Sequence, residues 1–395
     1  MRLNRWSAGL AALAAAVAMV SCQNMPGGGA SGGSDKFVGS DTCKGCHLVE
    51  YKSWSESLHS KMMRKKDDGM LKDAAAKWGD GGPTKGNVTG RQASLNDVEY
   101  VVGSYWKQRY LIKNEQTGGW QFMDKQFNRM SGKWEGYGQK NDWDTQCATC
   151  HTTGYKVTRL DEATGKVLEA TMVEHNIGCE ACHGPGGTHV NSKNKKDIFS
   201  FKNAPHQEQS MVCGYCHIRV DNHKYKTRQG NDAEHVPHPQ AGESFKAGQD
   251  DWRKWYPDQL TAPGIHAEDP FDKEYTGDLK GMWILDEQSK KYGFYDAGKH
   301  HQQYQEFIQS KHYKQDLMNC ASCHSAHASA GKPMIKPRET CKQCHQDELG
   351  DVDKYMPGTG KTADNLFVRT HTFNRNESHK GGPVASGTPV LQKGN

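Results

Sequence analysis

The chain has 395 residues, of which 34 % are hydrophobic, and its mean hydropathy is −0.90. The length allows two domains, but the composition is too polar for two ordinary hydrophobic cores, so something besides side chains must fill the interior. The 51 basic and 46 acidic residues give a formal charge of +5, which is too small to indicate nucleic-acid binding. Nucleic acid is therefore excluded as a partner.

The N-terminus has the layout of an export signal. Residues 1–21 contain two arginines, a short apolar run and small residues, which is typical of a signal peptide and too short for a membrane span. The sequence MVSC resembles a lipobox, so we predict lipidation of Cys22, with cleavage after Ala18 as the alternative. Residues 22–36 are rich in glycine and predict a flexible tether. Because Gln23 favours the outer membrane, we expect an outer-membrane lipoprotein facing the periplasm or the cell surface, and otherwise a periplasmic protein.

Residues 37–370 are predicted to form one domain that is mainly α, with extensive loops and one or two β-hairpins. The first hairpin is predicted within residues 99–123, which are aromatic and β-branched and contain a Gly-Gly turn. The second is predicted over residues 154–172. A helix is predicted from about residue 299 to 313, and residues 371–395 are expected to be a largely disordered tail.

Twelve of the 13 cysteines fall in six copies of the pattern C-x-x-C-H, and only Cys22 lies outside it. In chain order, the six copies, which we number as attachment sites 1 to 6, are Cys43, Cys46 and His47; Cys147, Cys150 and His151; Cys179, Cys182 and His183; Cys213, Cys216 and His217; Cys320, Cys323 and His324; and Cys341, Cys344 and His345.

This repeated pattern indicates covalent haem c. Zinc sites and disulfides also use paired cysteines, but neither requires a histidine after the second cysteine in all six copies. Thioredoxin-like chemistry needs one such motif, and not six. In haem c two thiols are joined to the porphyrin and the adjacent histidine coordinates iron. We therefore predict six covalent haems, whose apolar surfaces would supply the missing core and whose propionates would make the loaded protein roughly neutral to slightly acidic.

Fourteen histidines lie outside the motifs, enough to give each iron a second imidazole. His59, His189, His312 and His327 are the first candidates for these distal ligands, and His175, His301 and His371 are further candidates. The alternative for each is a surface or hydrogen-bonding histidine. The remaining seven histidines lie in polar stretches and are predicted to be surface residues: His206, His223, His235, His238, His266, His300 and His379.

Position suggests how some of these histidines would act. His327 is three residues beyond His324 and cannot reach the opposite side of the same iron, so it is predicted to bind a neighbouring haem. The sequence GPGG after His183 breaks the helix and allows His189 to turn toward another haem. His301 and His312 are eleven residues apart on the predicted helix, so they would face the same way but serve different haems.

Several segments resemble the multihaem cytochromes related to cytochrome c554. The segments FVGSDTCKGCHLVEYKSWSESLHSKM, VVGSYWKQRYLI, CATCHTTGY, IGCEACHGPGGTH and HHQQYQEFIQSKHYKQDLMNCASCHSAH occur in the same order as in that family and cover most of the mature chain. The resemblance implies bis-histidine haems in near-contact pairs within a mostly helical, loop-rich shell. It supports His59, His189, His312 and His327 as distal ligands, whereas the sixfold motif count departs from the tetrahaem member.

The sequence predicts an electron carrier, and not an enzyme, that relays electrons along six bis-histidine haems in respiratory or extracellular electron transport. Its expected partners are other redox proteins, such as cytochromes or a porin–cytochrome complex, and a membrane surface reached through the lipid anchor. One alternative is a multihaem reductase of nitrogen or sulfur oxyanions with one open haem. Another is the repeating subunit of a cytochrome filament.

Overall fold

The computed structural model describes residues 36–66, 72–220, 224–233, 237–255, 283–284, 295–327, 341–345, 352–363 and 366–373. The predictions for residues 1–21, for Cys22 and its tether, and for nearly all of the tail lie outside the described residues. All six C-x-x-C-H motifs lie within them.

The described helices are short, and most of the attachment motifs lie on or next to them. They are α1 (Ser40–Lys44), α2 (Leu48–Ser55), α3 (Lys72–Ala76), α4 (Trp143–Gln146), α5 (Ala148–His151), α6 (Cys179–His183), α7 (Gly187–Ser192), α8 (His206–Gly214), α9 (Gln303–Phe307) and α10 (Lys311–Lys314). Turns of 3₁₀-helix cover Leu95–Asp97, Lys195–Asp197, Trp252–Trp255, Cys320–Ser322 and Val352–Lys354.

The strands form three antiparallel sheets. A six-stranded sheet has the order β1 (Met63–Lys65), β2 (Tyr100–Val102), β3 (Lys107–Lys113), β5 (Lys125–Asn128) and β6 (Lys133–Gly136), and β4 (Trp120–Phe122) also pairs with β3. The pair β7 (Lys156–Asp161) and β8 (Lys166–Thr171) and the pair β9 (Gly358–Ala363) and β10 (Leu366–Arg369) form the two others.

Both predicted hairpins are present, and the first belongs to a larger sheet. Strands β3 and β4 are joined through a turn at Gly118, whose φ of 80° suits glycine, and β7 and β8 form the second hairpin. Ten strands in three sheets lie beside ten short helices in the described residues. The prediction of a mainly α chain therefore understated the β content, because the sequence around the first hairpin also supplies β2, β5 and β6.

The helix predicted for about residues 299–313 is broken into α9 and α10. The Ser310 side chain accepts a hydrogen bond from the Tyr313 backbone N–H and begins a new helix at Lys311. His301 precedes α9 and has a φ of 55°, which is outside helical backbone space. The argument that His301 and His312 face the same way on one helix was therefore wrong.

Three hydrophobic clusters surround the attachment motifs. The first packs Trp143, Tyr155 and Tyr225 with one side of the large sheet and includes Ala148 of site 2, with Cys147 against it. The second packs Trp252 and other residues against Cys182 and Cys216, and the third lies on the large sheet, around Tyr110 and Phe127. Sites 2, 3 and 4 are therefore embedded in the apolar interior.

Within the described ranges, no helix has both the length and the apolar character needed to cross a membrane.

Candidate haem attachment sites

The attachment motifs share a tight backbone turn. At site 1 the His47 N–H donates to the carbonyl oxygen of Cys43 at 2.9 Å. The motif histidines of sites 4, 5 and 6 make the same bond at 3.1, 2.9 and 2.8 Å. The turn brings each of these motif histidines close to the first cysteine of the same motif. The thiols and the imidazole can then bind one haem.

The donor set does not suit zinc. All twelve motif cysteines are free in the structure. No group of three or more histidine, cysteine or acidic side chains that could hold a metal ion occurs among the described residues. A structural zinc site needs four such ligands, so the alternative of zinc-binding cysteine pairs finds no support.

Five motif histidines face a second histidine ring at nearly one spacing. In each pair a motif histidine meets a histidine outside the motifs, and the ring centres are 6.1 to 6.4 Å apart. The pairs are His47 with His189 at 6.1 Å, His217 with His59 at 6.4 Å, His183 with His327 at 6.1 Å, His345 with His312 at 6.2 Å, and His324 with His371 at 6.1 Å.

This spacing is the one expected for two imidazoles on opposite sides of one iron. A metal–nitrogen bond is about 2 Å long and a ring centre lies about 1.1 Å beyond its nitrogen, so the two centres should be about 6.2 Å apart. The rings do not touch at this distance, so packing between them does not explain it. The five pairs therefore fit bis-histidine haem.

Burial keeps several of these imidazoles in the form that binds metal. It lowers the pKa of His59 to about 4, with a further contribution from His217, and it also lowers the pKa of His183, His217 and His312. These rings are neutral near pH 7, and neutral imidazole is the ligating form.

Hydrogen bonds orient four of the paired rings. The Nδ1 atom of His183 lies 2.9 Å from the Phe199 carbonyl oxygen, that of His189 lies 3.0 Å from the Asn194 carbonyl oxygen, and that of His371 lies 3.0 Å from the Arg369 carbonyl oxygen. His217 Nδ1 lies 3.2 Å from Gln303 Oε1. Because Nδ1 is engaged in each case, Nε2 is left to face the partner ring.

Site 2 differs from the other five. Burial lowers the pKa of His151 to about 4, and the nearby Arg109 guanidinium and His217 imidazole lower it further. Its Nδ1 atom is buried without a hydrogen-bond partner. Within the described ranges, no histidine ring faces His151 at the spacing of the five pairs.

A half-buried polar cluster lies close to His151. His300 and His301 are near enough to interact with it electrostatically, and their Nδ1 atoms lie 2.7 Å apart. The Arg219 Nε atom donates to the His300 carbonyl oxygen at 3.3 Å, and burial lowers the pKa of Arg219 to about 10. The cluster therefore brings cationic and hydrogen-bonding groups to site 2.

Two histidines are placed differently from their predictions. His175 is stacked on Tyr100, with its Nε2 atom 3.1 Å from the tyrosine hydroxyl, and the described contacts do not bring it to a motif histidine. His238 was predicted to be a surface residue, which was wrong, because it is only 3 % exposed and packs against Tyr155 and Tyr225. Its polar sequence context hid this burial, because the residues that enclose it are distant in sequence.

Thiol contacts connect different attachment sites. Cys43 of site 1 hydrogen-bonds to Cys179 of site 3, Cys216 of site 4 to Cys150 of site 2, and Cys213 of site 4 to Cys320 of site 5. Cys182 of site 3 is near Cys216 of site 4, and Cys323 of site 5 is near Cys341 of site 6. The six sites thus form one continuous cluster.

Comparison with known proteins agrees with this geometry. The family profile described as cytochrome c554 and c-prime matches residues 42–82 and 104–184, and a doubled CXXCH motif profile matches residues 313–350. No curated protein sequence matches the chain. The resemblance to the multihaem cytochromes of this family is confirmed, and the chain carries covalently bound haem c.

Two solved structures are similar to the chain. The crystal structure of outer cell wall cytochrome OcwA matches with 20 % identity and a TM-score of 0.57, over 86 % of this chain and 79 % of that chain. An undecahaem cytochrome from the S-layer of Carboxydothermus ferrireducens matches with 18 % identity and a TM-score of 0.42, over 83 % of this chain and 45 % of that chain. The likeness to OcwA shows a shared multihaem cytochrome fold.

The sequence motifs did not reveal the surroundings of site 2. Arg109 lies on β3, far from any motif, and His300 stands in a polar stretch that indicated a surface residue. Arg219 follows His217 by two positions, and this proximity to a motif was the one available signal. Burial of these residues depends on the packing of distant segments, which spacing alone does not report.

Proposed function

We propose that this chain is an exported hexahaem cytochrome whose function is electron transfer. The observation that carries this proposal is the set of five histidine pairs, each made by one motif histidine and one other histidine at 6.1 to 6.4 Å. When bound, haem c supplies a one-electron carrier. With haem bound, each pair of imidazoles would hold one iron, and this ligation need not change with redox state.

The thiol contacts support an order for the sites. They link sites 1, 3, 4, 5 and 6 in one line, and the contact between Cys150 and Cys216 attaches site 2 to site 4 as a branch. The chain thereby holds successive carriers close together, which electron transfer requires. We infer that site 4 is the junction of three routes.

We place the protein in the cell envelope as a lipid-anchored cytochrome. The N-terminal motif ending at Cys22 supports the anchor, and the likeness to an outer cell wall cytochrome agrees with export. Labelled fatty acid should enter the wild type, and Cys22→Ala should release haem-loaded protein from membranes. A wild type that is soluble, with an N-terminus at Met19, would contradict the anchor.

Haem counting and spectroscopy test the main proposal. The intact mass should exceed that of the processed polypeptide by six haems, and a pyridine haemochrome assay should give the same number. Electron paramagnetic resonance should show at least five low-spin haems, one for each histidine pair. Bound zinc, or fewer than five haems after expression with the maturation system, would overturn the proposal.

A second candidate function is reduction of a nitrogen or sulfur oxyanion at site 2. It is favoured by one observation: His151 lacks a ring partner within the described ranges and lies beside Arg219, His300 and His301. With haem bound, an unpaired site would leave one face of the iron available, and the Arg219 guanidinium would attract an oxyanion. Here Arg219 would bind the anion, and the neutral imidazoles of His300 and His301 would orient it through hydrogen bonds.

Carbon monoxide binding decides between the two candidates. If site 2 is open, the reduced wild type should bind one carbon monoxide per protein, and turnover of nitrite or hydroxylamine should reach about 1 per second or more. If the wild type binds none, His301 or another ligand caps this iron and the protein is a relay alone.

A further inference from the structure

We propose that Arg109 makes site 2 the strongest electron acceptor of the six haem sites, so that electrons entering the protein collect there. The inference rests on the proposed function, because it requires a haem at site 2. It adds a direction to the relay, since electrons that reach the junction at site 4 would pass preferentially to the branch. It also assigns a role to a residue of the large sheet that lies outside every attachment motif.

Side-chain alternation along β3 places Arg109 on the side of the sheet that faces site 2. Successive side chains of a strand lie on opposite faces of the sheet. Tyr110 belongs to the third hydrophobic cluster, whereas Leu111 belongs to the first, against which Cys147 packs. Arg109 is two positions from Leu111 and shares its face, so the arginine and the site 2 motif lie on one side of the sheet.

The Tyr137 ring holds the Arg109 guanidinium in place. The guanidinium carbon lies 4.6 Å from the centre of the ring, which is a cation–π contact. The Tyr137 N–H donates to the Asp124 carbonyl oxygen at 2.9 Å, and the ring packs against the same cluster as Cys147. Burial raises the pKa of Tyr137 to about 12, so the phenol is neutral near pH 7 and does not compensate the charge of Arg109.

No carboxylate balances the charge of Arg109 among the described residues. The guanidinium makes no ion pair there, and its Nε atom is buried without a hydrogen-bond partner. The Asp144 carboxylate interacts electrostatically with Cys147, but Arg228 already pairs with it at 2.6 Å. A half-buried charge without a counter-ion is screened less than an exposed one, so its field extends to neighbouring groups.

Arg109 is close to both ends of the site 2 motif. It interacts electrostatically with Cys147 and with His151, and no carboxylate among the described residues acts on His151. Reduction of a haem iron removes one positive charge from the site, so a fixed cation nearby favours the reduced form. Arg109 should therefore raise the reduction potential at site 2.

The charges near site 1 have the opposite sign. The charged side chains that act on Cys43 are the carboxylates of Glu174 and Glu180, which oppose reduction of a neighbouring iron. With haem bound, one electron would pass from site 1 through sites 3 and 4 to site 2, oxidising the iron at site 1 and reducing the iron at site 2. This transfer needs no other reactant.

Redox titration of the holoprotein, followed by visible absorption, tests the order of potentials. In the wild type the six haems should titrate as separable components. The variant C147A/C150A removes the haem at site 2, so the component with the highest potential should be absent and the other five should remain. Loss of a component of lower potential, with the highest one retained, would overturn the proposal.

Substitution of Arg109 tests the cause. In Arg109→Gln the equilibrium constant for reduction of the highest-potential haem should fall about tenfold, which corresponds to about 59 mV for one electron. Arg109→Lys keeps the positive charge and should keep the wild-type potential to within about threefold in the same constant. If the lysine variant falls as far as the glutamine variant, the charge is not the cause and the proposal is wrong.

The matched control is Arg91→Gln, which removes the same charge. Arg91 is also half-buried, but it pairs with Asp97 at 3.0 Å. Its loss should change the reduction constant of every haem by less than about twofold, because the pair has little net field. Equal effects of Arg109→Gln and Arg91→Gln, or no effect of either, would overturn the role of Arg109.

Haem counting separates this proposal from the proposed function. A wild type without a haem at site 2 contradicts the proposed function, whereas six haems whose potentials do not respond to Arg109→Gln contradict this inference alone. If C147A/C150A does not fold, the Arg109 variants decide by themselves, because they retain all six attachment motifs. The component that shifts in Arg109→Gln must then be the one with the highest potential, and a shift of any other component would overturn the proposal.

Discussion

Sites 1 and 2 each contain a C-x-x-C-H motif, but they differ in exposure and in the presence of a second histidine. At site 1, Cys46 and His47 are exposed, and His47 faces His189 at 6.1 Å. At site 2, Ala148 and Thr149 are buried, and His151 faces no histidine ring at that spacing among the described residues. The motif therefore specifies covalent attachment, and the distant segments that pack around it determine exposure and the second ligand.

The largest expected difference between the two sites is in their contribution to thermal stability. The variant C147A/C150A would remove the haem that we propose for site 2, beside the first hydrophobic cluster, so the midpoint of thermal unfolding should fall by roughly 10 °C or more. The variant C43A/C46A removes a peripheral haem, and the protein should retain five haems and a smaller fall. Differential scanning calorimetry and intact mass measure both effects. Equal falls would show that site 2 is no more central than site 1.

The histidine pairs predict which substitutions open an iron. In His327→Ala the six thioether attachments should remain, while one additional carbon monoxide should bind per protein and a high-spin signal should appear. His175→Ala is the matched control, because His175 is stacked on Tyr100, and it should bind no more carbon monoxide than the wild type. An extra equivalent in His175→Ala, or none in His327→Ala, would contradict the assignment of the pairs.

Glu306 is expected to hold the ligand of site 5 in place. Its carboxylate accepts the Ala297 N–H at 2.7 Å and the His371 N–H at 3.0 Å, and it is only 2 % exposed. Glu306→Ala leaves two buried donors unsatisfied, at a cost of about 1 to 3 kcal/mol each. Urea unfolding should show this loss, together with a partial high-spin signal. The exposed Glu162→Ala should show neither.

The smallest expected effect at neutral pH is that of His238 near site 2, which changes stability only in acid. Burial lowers the pKa of His238 to about 3, so the unfolded state binds the extra proton between about pH 6.5 and 3. The stability that His238 contributes is therefore complete above pH 6.5 and is lost as the pH falls toward 3. His238→Gln should reduce the slope of unfolding free energy in this window by up to about 1.4 kcal/mol per pH unit. An unchanged slope would show that the pKa of His238 is the same in the folded and unfolded states.

The sequence predicted the attachment residues better than it predicted their partners. Spacing identifies Cys147, Cys150 and His151 directly, because two thiols and an imidazole must come from one turn. It could not reveal that His183 faces His327, or that His59 faces His217, because these pairs are formed by segments far apart in the chain. Likewise, the break at Ser310 depends on one side-chain cap that hydrophobic spacing does not report.

The thiol contacts between attachment sites constrain the order in which this protein can be made. Cys43 touches Cys179, and Cys213 touches Cys320, so a chain that folded with free thiols would bring cysteines of different motifs together. In an oxidising compartment such neighbours are joined as disulfides, which would block both motifs. If the protein is exported, as we propose, haem must therefore be attached before the chain folds, and folding would then enclose cofactors that are already bound.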